Sequence, residues 1–280
     1  MSEIKWARPT STKDVVRLLQ TESDARLHGG GTGLLRQRLR HGTLIDLSRT
    51  GLRTFSATDD HFLLGAGATF TDVVKGIGAV EPDHVLVNAL GSVAAPALRN
   101  RITVGGSLAM SPPWSGLLGP LVALDATAAV AGIDGNDSVV AVPVEAYLRE
   151  RKNHHGTVVT EVQVPRTDEC VGWWYRLVRM HFDYAPFSLT VAGTPSDGTL
   201  RNARVVIVGT TNRFDRLTAL EATLADDRGL AAFTDPARQI APEELPVTIP
   251  ARNGFSSEYL AEMARVQLER GLRAMAEQYA

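Results

Sequence analysis

Apolar and polar positions alternate along the chain in patterns that predict both helices and strands. Val15, Leu18 and Leu19 recur at helical spacing behind a start rich in serine and threonine, which predicts a capped helix in residues 9–20. Similar spacing predicts further helices in residues 71–77, 115–124, 215–226 and 256–278.

Short apolar runs bounded by glycine, proline and polar residues predict the strands. They lie at 25–27, 43–48, 61–69, 126–132, 137–144, 158–165, 173–193 and 201–211. We expect residues 133–137 to form the turn between two paired strands, and a short helix to lie between the last two runs. The order of elements predicts an α+β fold and argues against a doubly wound parallel sheet. The pattern of residues along the chain changes near residues 166–172, where we expect a domain boundary.

Composition narrows the range of functions. The 280 residues are 44% apolar without a run of 18 apolar positions, so we expect no membrane span. Cys170 is the single cysteine, which excludes an internal disulfide framework, a four-cysteine iron–sulfur site and a cysteine-rich zinc site. The opening residues lack a secretion-signal pattern, and we expect a cytoplasmic protein. A net charge of −2 gives no general reason to bind nucleic acid.

Two glycine-rich stretches, about 70 positions apart, are the main candidates for a binding site. The first contains Gly29, Gly30, Gly31 and Gly33, and the second contains Gly105 and Gly106. Neither is a P-loop or a dinucleotide fingerprint. Hydroxyl residues stand beside both stretches: Thr32, Thr103 and Ser107. Successive N–H groups in such turns can hold an anion, so the pair could share one pyrophosphate. Two ordinary hairpin corners are the alternative.

The residues around these stretches are similar to those of a known family. Gly29-Gly30-Gly31-Thr32-Gly33-Leu34 resembles its first motif, and the run Leu98 to Leu108 resembles its second. The chain thus resembles the FAD-binding medium subunit of the molybdenum hydroxylases, the family that includes the medium subunit of carbon monoxide dehydrogenase and the FAD domain of xanthine dehydrogenase. The similarity runs nearly from end to end.

The resemblance implies a fold and a cofactor. We expect an FAD-binding domain of two α+β subdomains in residues 1–168, and a C-terminal α+β domain with a small antiparallel sheet and helices in 169–280. FAD would be bound non-covalently. The residues implied to hold it are Gly29, Gly30, Gly31, Thr32, Gly33, Leu34, Asn100, Thr103, Val104, Gly105, Gly106, Ser107, Ser115, Gly116 and Arg176.

Three of these positions depart from the family pattern. Gly116 stands where an acidic residue is expected to accept a hydrogen bond from a cofactor hydroxyl, and losing it weakens affinity by about 1.5–3 kcal/mol if nothing replaces it. Gly33 replaces a frequent serine. Arg176 stands at the position of a lysine expected near the flavin, with Asp183 and Ala185 following at the family spacing.

The resemblance also implies partners. We expect a large molybdopterin-binding subunit and a small [2Fe–2S] subunit, assembled as a dimer of heterotrimers, with a small-molecule electron acceptor. Electrons would pass from the clusters through FAD to that acceptor. A stand-alone FAD-dependent oxidase or dehydrogenase is one alternative. A flavin-poor scaffold subunit, suggested by Gly116, is another.

Other candidate residues predict no chemistry of their own. His154 and His155 lie in a polar loop without acidic or cysteine partners at ligand spacing, so we expect no metal site. His28 precedes the glycines, which favours non-covalent FAD. Trp173 and Trp174 are expected in the core or an interface, Cys170 as a lone thiol, and Asp125 at a helix end. No acid–base pair or nucleophilic triad is indicated, as expected where the cofactor carries the chemistry.

Overall fold

Residues 4–37, 39–133, 135, 138–150, 155–166 and 169–279 are described in the computed structural model of the chain. They divide into two compact units. The first consists of the described residues within 1–82, 94–111 and 125–166, and the second of those within 83–93, 112–124 and 167–280. Two segments from the first half of the sequence therefore belong to the second unit.

The described strands of the first unit form separate parallel and antiparallel sheets. The parallel sheet has the order β1-β3-β2, with β1 at Ile4–Ala7, β2 at Arg26–His28 and β3 at Gly42–Asp46. The antiparallel sheet has the order β4-β5-β8-β6-β7, with β4 at Phe55–Ala57, β5 at His61–Gly65, β6 at Thr127–Ala131, β7 at Val139–Pro143 and β8 at Val158–Pro165.

Helices of the first unit pack on these sheets or connect them. They are α1 at Thr12–Thr21, α2 at Phe70–Gly78, α4 at Pro96–Arg99, α5 at Val104–Met110 and α7 at Val144–Arg149. The predicted cap of α1 is confirmed, because the Ser11 hydroxyl accepts a hydrogen bond from the Asp14 N–H at 3.2 Å. Val15 and Val16 are buried in a small core that includes Ile45.

The second unit is an antiparallel sheet with helices on both faces. The sheet has the order β12-β11-β10-β9, with β9 at Val171–Arg176, β10 at Ser188–Ser196, β11 at Thr199–Val208 and β12 at Phe214–Arg216. The helices are α3 at Val85–Ser92, α6 at Leu118–Ala123, α8 at Thr218–Ala225 and α9 at Ser257–Tyr279.

Side chains alternate between the two faces of a strand, so the two faces of the second sheet contact different helices. Leu189 and Val191 belong to the core cluster that includes residues of α8 and α9. Thr190, between them, faces the opposite side and lies against α6, where a Cβ on Gly119 would be 2.6 Å from its hydroxyl oxygen. Both faces of the first part of β10, from Ser188 to Gly193, are therefore buried.

The α+β class is confirmed, but some predicted elements differ. No helix separates β10 from β11: Asp197 and Gly198, with φ of 49° and 82°, form a two-residue hairpin turn between them. The predicted strand at 173–193 is interrupted by an irregular segment from 177 to 187, and the helix expected from residue 115 begins at 118. Residues 134, 136 and 137 of the predicted turn lie outside the described part of the chain. Among the described helices, none combines the length and apolar character needed to cross a membrane.

A partly buried ion pair fixes the edge of the second sheet to α8. Glu221 is 7% exposed, and its Oε1 accepts hydrogen bonds from the Val205 N–H at 2.9 Å and from Nε of Arg216 at 3.1 Å. Its Oε2 accepts a further bond from Nη2 of Arg216 at 2.5 Å. The carboxylate thereby links β11, β12 and α8.

We predict that Glu221→Ala lowers the free energy of unfolding by about 2–3 kcal/mol, because it removes a buried carboxylate that accepts hydrogen bonds from the Val205 N–H and from the partly buried Arg216 guanidinium. Urea titration followed by circular dichroism measures the change. Glu262→Ala is the matched control, since Glu262 pairs with Arg265 at the surface and its loss should cost about 1 kcal/mol or less. Equal losses in the two variants would contradict the prediction.

Candidate functional site

The first glycine stretch lies where β2 leaves the parallel sheet. Its residues 29–33 follow His28, which is paired with Asp46 at the carboxyl ends of β2 and β3. Gly31 has a φ of +77°, a backbone conformation that residues with a Cβ rarely adopt. Its glycine is therefore required by the path of the turn itself.

The first turn presents hydrogen-bond donors that the protein does not use. In the part of the chain that the structure describes, the N–H groups of Gly30, Gly31 and Thr32 donate to no protein acceptor. The carbonyl oxygen of Gly30, in contrast, accepts two hydrogen bonds from Arg101, at 2.9 Å from Nε and 2.8 Å from Nη2. A turn with several unpaired N–H groups has donors that can bind a phosphate, and the Gly30 carbonyl is held away on Arg101.

The second glycine stretch forms the start of α5. Thr103 caps this helix, and its hydroxyl accepts a hydrogen bond from the Gly106 N–H at 3.2 Å. The N–H groups of Val104 and Gly105 donate to the carbonyl oxygens of Ala68 and Ala66 at 2.9 and 2.8 Å. The second turn thus differs from the first, because its main-chain donors are already satisfied within the protein.

The two stretches lie in contact with each other. A Cβ on Gly30 would be 1.5 Å from the carbonyl oxygen of Arg101, and one on Gly29 would be 3.0 Å from the Thr103 hydroxyl oxygen. The glycine side of this contact leaves no room for a side chain. The fold therefore brings together the motifs that the sequence placed about 70 positions apart.

Close packing also explains Gly105. A Cβ there would be 2.7 Å from the Cβ of Ala66, at the point where the second stretch lies against the segment that follows β5. That segment continues to Thr69, which pairs with Thr103 in an isolated β-bridge. Gly105 thus has a packing role in addition to the cofactor role that the sequence predicts.

An ion pair holds the segment after β5 in place. Asp72 accepts hydrogen bonds from Nε of Arg53 at 2.8 Å and from the Thr69 N–H at 2.9 Å, completing a capping box at the start of α2. The bond from Arg53 is the main reason that the pKa of Asp72 is lowered to about 2; the bonds from Thr69 add to it, while burial opposes it. Asp72 is therefore a carboxylate at neutral pH. Its hydrogen bond from the Thr69 N–H fixes the residue that pairs with Thr103.

The remaining predicted cofactor residues of the first unit are Leu34, Asn100, Ser107 and Gly33. Leu34 begins a 3-10 turn at Leu34–Gln37, and Asn100 ends α4, where its N–H donates to the Pro96 carbonyl at 3.1 Å. Ser107 is buried on α5, and Gly33 lies beside Met110. None of these observations assigns a ligand contact to them, and their cofactor roles stay predictions.

Ser115, Gly116 and Arg176 belong to the second unit. The Ser115 hydroxyl accepts a hydrogen bond from the Leu117 N–H at 3.2 Å. A Cβ on Gly116 would lie 2.8 Å from Cγ1 of Val93 and 3.5 Å from the Trp174 ring. The indole Nε1 of Trp174 is buried without a partner in the described residues.

Arg176 has a structural role that the sequence did not reveal. Its Nη2 donates to the carbonyl oxygens of Ser92, at 2.6 Å, and of His181, and its Nη1 donates to that of Asp183 at 3.5 Å. Burial lowers the pKa of its guanidinium. The side chain thereby ties the irregular segment after β9 to the end of α3.

The other side chains considered from sequence have varied surroundings. Trp173 packs in the core against Gly271 of α9, as expected, and Asp125 follows α6 with a left-handed φ of 55°. Cys170 is in no disulfide bond, and its Sγ donates to the Val171 carbonyl oxygen at 3.8 Å. His155 is exposed, and His154 lies outside the described residues. Within the described ranges, no group of three or more histidine, cysteine, aspartate or glutamate residues could hold a metal ion.

Sequence reasoning missed Arg101 as part of this site. It stands within the second motif, between Asn100 and Thr103, but nothing in its spacing indicates that it reaches back to residue 30. The available signal was its place between two residues already predicted to bind the cofactor.

The chain is similar to known proteins in both its fold and its sequence. The chain superposes on the carbon monoxide dehydrogenase of Hydrogenophaga pseudoflava with a TM-score of 0.84, at 25% identity and over 99% of each chain. It is 28% identical over 280 residues to the carbon monoxide dehydrogenase medium chain of that organism, covering 96% of both. The nicotine 6-hydroxylase medium subunit of Paenarthrobacter nicotinovorans is 26% identical over 229 residues, 79% of this chain and 80% of that one.

The family described as "FAD binding domain in molybdopterin dehydrogenase" matches residues 2–167, which include the β2 turn, Arg101 and the start of α5. That range exceeds half of the chain, and the resemblance first suggested by the glycine motifs is confirmed. By its sequence and its fold, the chain belongs to this family of oxidoreductase flavoproteins, and FAD is its cofactor.

Proposed function

We propose that the chain is the electron-transfer subunit of a multi-subunit molybdenum hydroxylase. It would take electrons from the [2Fe–2S] clusters of a small partner subunit, after hydroxylation on a large molybdopterin-binding subunit, and deliver them to a small-molecule acceptor. The observation that carries the proposal is the contact between the two glycine stretches, where the N–H groups of Gly30, Gly31 and Thr32 are unpaired in the described structure.

The donor set fits the diphosphate of FAD. Residues 29–34 would hold it through main-chain N–H groups, with Asn100 and residues 103–107 completing the site beside them. Bound FAD supplies the redox chemistry, since it exchanges electrons singly or in pairs. The chain's own task is to bind the cofactor and position it. We retain the sequence-based assignment of residues 1–168 to FAD binding as part of this proposal.

The partner subunits are proposed from the relatives. Two of them carry names that describe a medium chain or subunit, and this chain matches both over most of their length. A medium subunit implies a larger and a smaller one, and we propose the dimer of heterotrimers expected from the family. Ser115, Gly116 and Arg176 are retained as proposed cofactor residues, and FAD as non-covalently bound.

The visible absorption spectrum of the purified full chain tests the proposal. We expect a yellow protein that releases one FAD per chain on heating and whose flavin is reduced by substrate only when the partner subunits are present. Reduction of the isolated chain by its own small substrate would instead indicate a stand-alone oxidase or dehydrogenase. A colourless chain that still assembles with its partners would indicate a scaffold.

We predict that Gly31→Val abolishes FAD retention while the chain still folds. A Cβ at this position meets Nε2 of His28 at 2.7 Å, and the φ of +77° is strained for valine, so the turn must change its path. Flavin content per folded chain measures the effect. Gly51→Val is the matched control, because Gly51 has a φ of +74° but open space around its Cβ position.

The control should lose stability and keep its flavin. Normal flavin content in Gly31→Val would contradict the assignment of the turn to the diphosphate. Gly105→Val is a poorer test, because its Cβ would enter the contact with Ala66 and disturb packing directly.

We predict that Gly116→Asp binds FAD about tenfold more tightly than Gly116→Ala, as expected for a regained charged hydrogen bond. Both variants carry a Cβ that crowds Val93, so their ratio of dissociation constants isolates the carboxylate. Fluorescence titration of the FAD-free chains measures both constants. Equal constants would show that no cofactor hydroxyl uses the carboxylate; the unpaired Nε1 of Trp174 would be its expected partner.

A further inference from the structure

Arg101 clamps one carbonyl of the first glycine turn. Its Nε and Nη2 both donate to the carbonyl oxygen of Gly30, at 2.9 and 2.8 Å, across 71 positions of sequence. The guanidinium is exposed, and its Nη2 would be 3.5 Å from a Cβ on Gly31. A forked contact of this kind holds an oxygen in two directions at once, which a lysine ammonium on its flexible stem does not reproduce.

The clamp also determines where a main-chain donor points. The peptide bond between Gly30 and Gly31 is planar and trans, so its carbonyl and its N–H point in opposite directions. Holding the Gly30 carbonyl on Arg101 therefore holds the Gly31 N–H on the other side of the peptide. That N–H is one of the donors that find no acceptor in the described part of the protein.

Glycine on both sides makes this peptide unusually free to rotate. Neither Gly30 nor Gly31 has a Cβ to restrict the backbone, and a rotation of the peptide plane would exchange the positions of the carbonyl and the N–H. In the rotated state a carbonyl oxygen would face the place of the anion and repel it. A device that selects one orientation is therefore needed, and Arg101 makes the contact that can select it.

We propose that Arg101 is a positioning residue for the cofactor, which keeps the Gly30–Gly31 peptide in the orientation that offers the Gly31 N–H to the diphosphate. The inference rests on the proposed FAD site and adds to it a residue outside the predicted set. It acts through the turn, so its effect depends on the fork rather than on the positive charge alone.

The test compares ligands with and without the diphosphate. FAD, ADP and riboflavin are titrated into flavin-free full-length chains carrying Arg101→Met or Arg101→Lys, by isothermal titration calorimetry. We expect the dissociation constants for FAD and ADP to rise at least tenfold in both variants, while that for riboflavin stays unchanged. Arg149→Met, which removes an exposed arginine paired with Glu145, is the control and should bind all three ligands as the parent does.

Two results would overturn the positioning role. Wild-type affinity for FAD in Arg101→Lys would show that charge alone suffices, and an equal loss for riboflavin would show a general structural defect. Circular dichroism and the thermal midpoint of each flavin-free variant confirm that it is folded; if Arg101→Met does not fold, Arg101→Lys decides. A parent chain that binds no FAD would reject the proposed function itself, whereas a parent that binds FAD beside unaffected variants would reject only the role of Arg101.

Discussion

The first unit depends on a place where two lengths of main chain pass each other without side chains between them. Residues 29–31 lie against residues 101–103 so closely that a Cβ on Gly30 would overlap the Arg101 carbonyl. Ala66 and Ala68 support this contact, because their carbonyl oxygens accept hydrogen bonds from the N–H groups of Gly105 and Val104. The capping box of Thr69 and Asp72 then fixes that support to α2.

In this arrangement the two glycine stretches use their main-chain N–H groups differently. The second uses its N–H groups inside the protein and so becomes a rigid base, while the first keeps the N–H groups of Gly30, Gly31 and Thr32 unpaired within the described structure. Main-chain donors that are already fixed, here by close packing and by the Arg101 contact with Gly30, need no rearrangement when an anion arrives, which reduces the entropy lost on binding. The absence of a P-loop lysine is consistent with such a site, because the donors come from the backbone.

The sequence predicted the local features well and the long-range ones incompletely. The cap of α1, most strands and the long α9 followed from periodicity and capping residues, which are properties of neighbouring positions. The association of the glycine stretches followed from a motif. The clamp of Arg101 on Gly30 and the three carbonyls bound by Arg176 could not be predicted, because each joins main-chain atoms whose proximity only the tertiary fold creates. Short elements such as β1 and β4 were missed because three or four partly exposed residues carry little periodic signal.

The second unit is built from separated parts of the sequence, which limits how the chain can be cut into fragments. Helices α3 and α6 come from residues 85–92 and 118–123, yet they cover β9, β10 and β11. A fragment that began at residue 169 would leave that face of its sheet in water, including the fully buried Thr190 and Val208. A fragment of residues 169–280 is therefore not a portable module. Gene fusions and subunit exchanges that preserve the second unit must carry residues 83–93 and 112–124 together with its sheet.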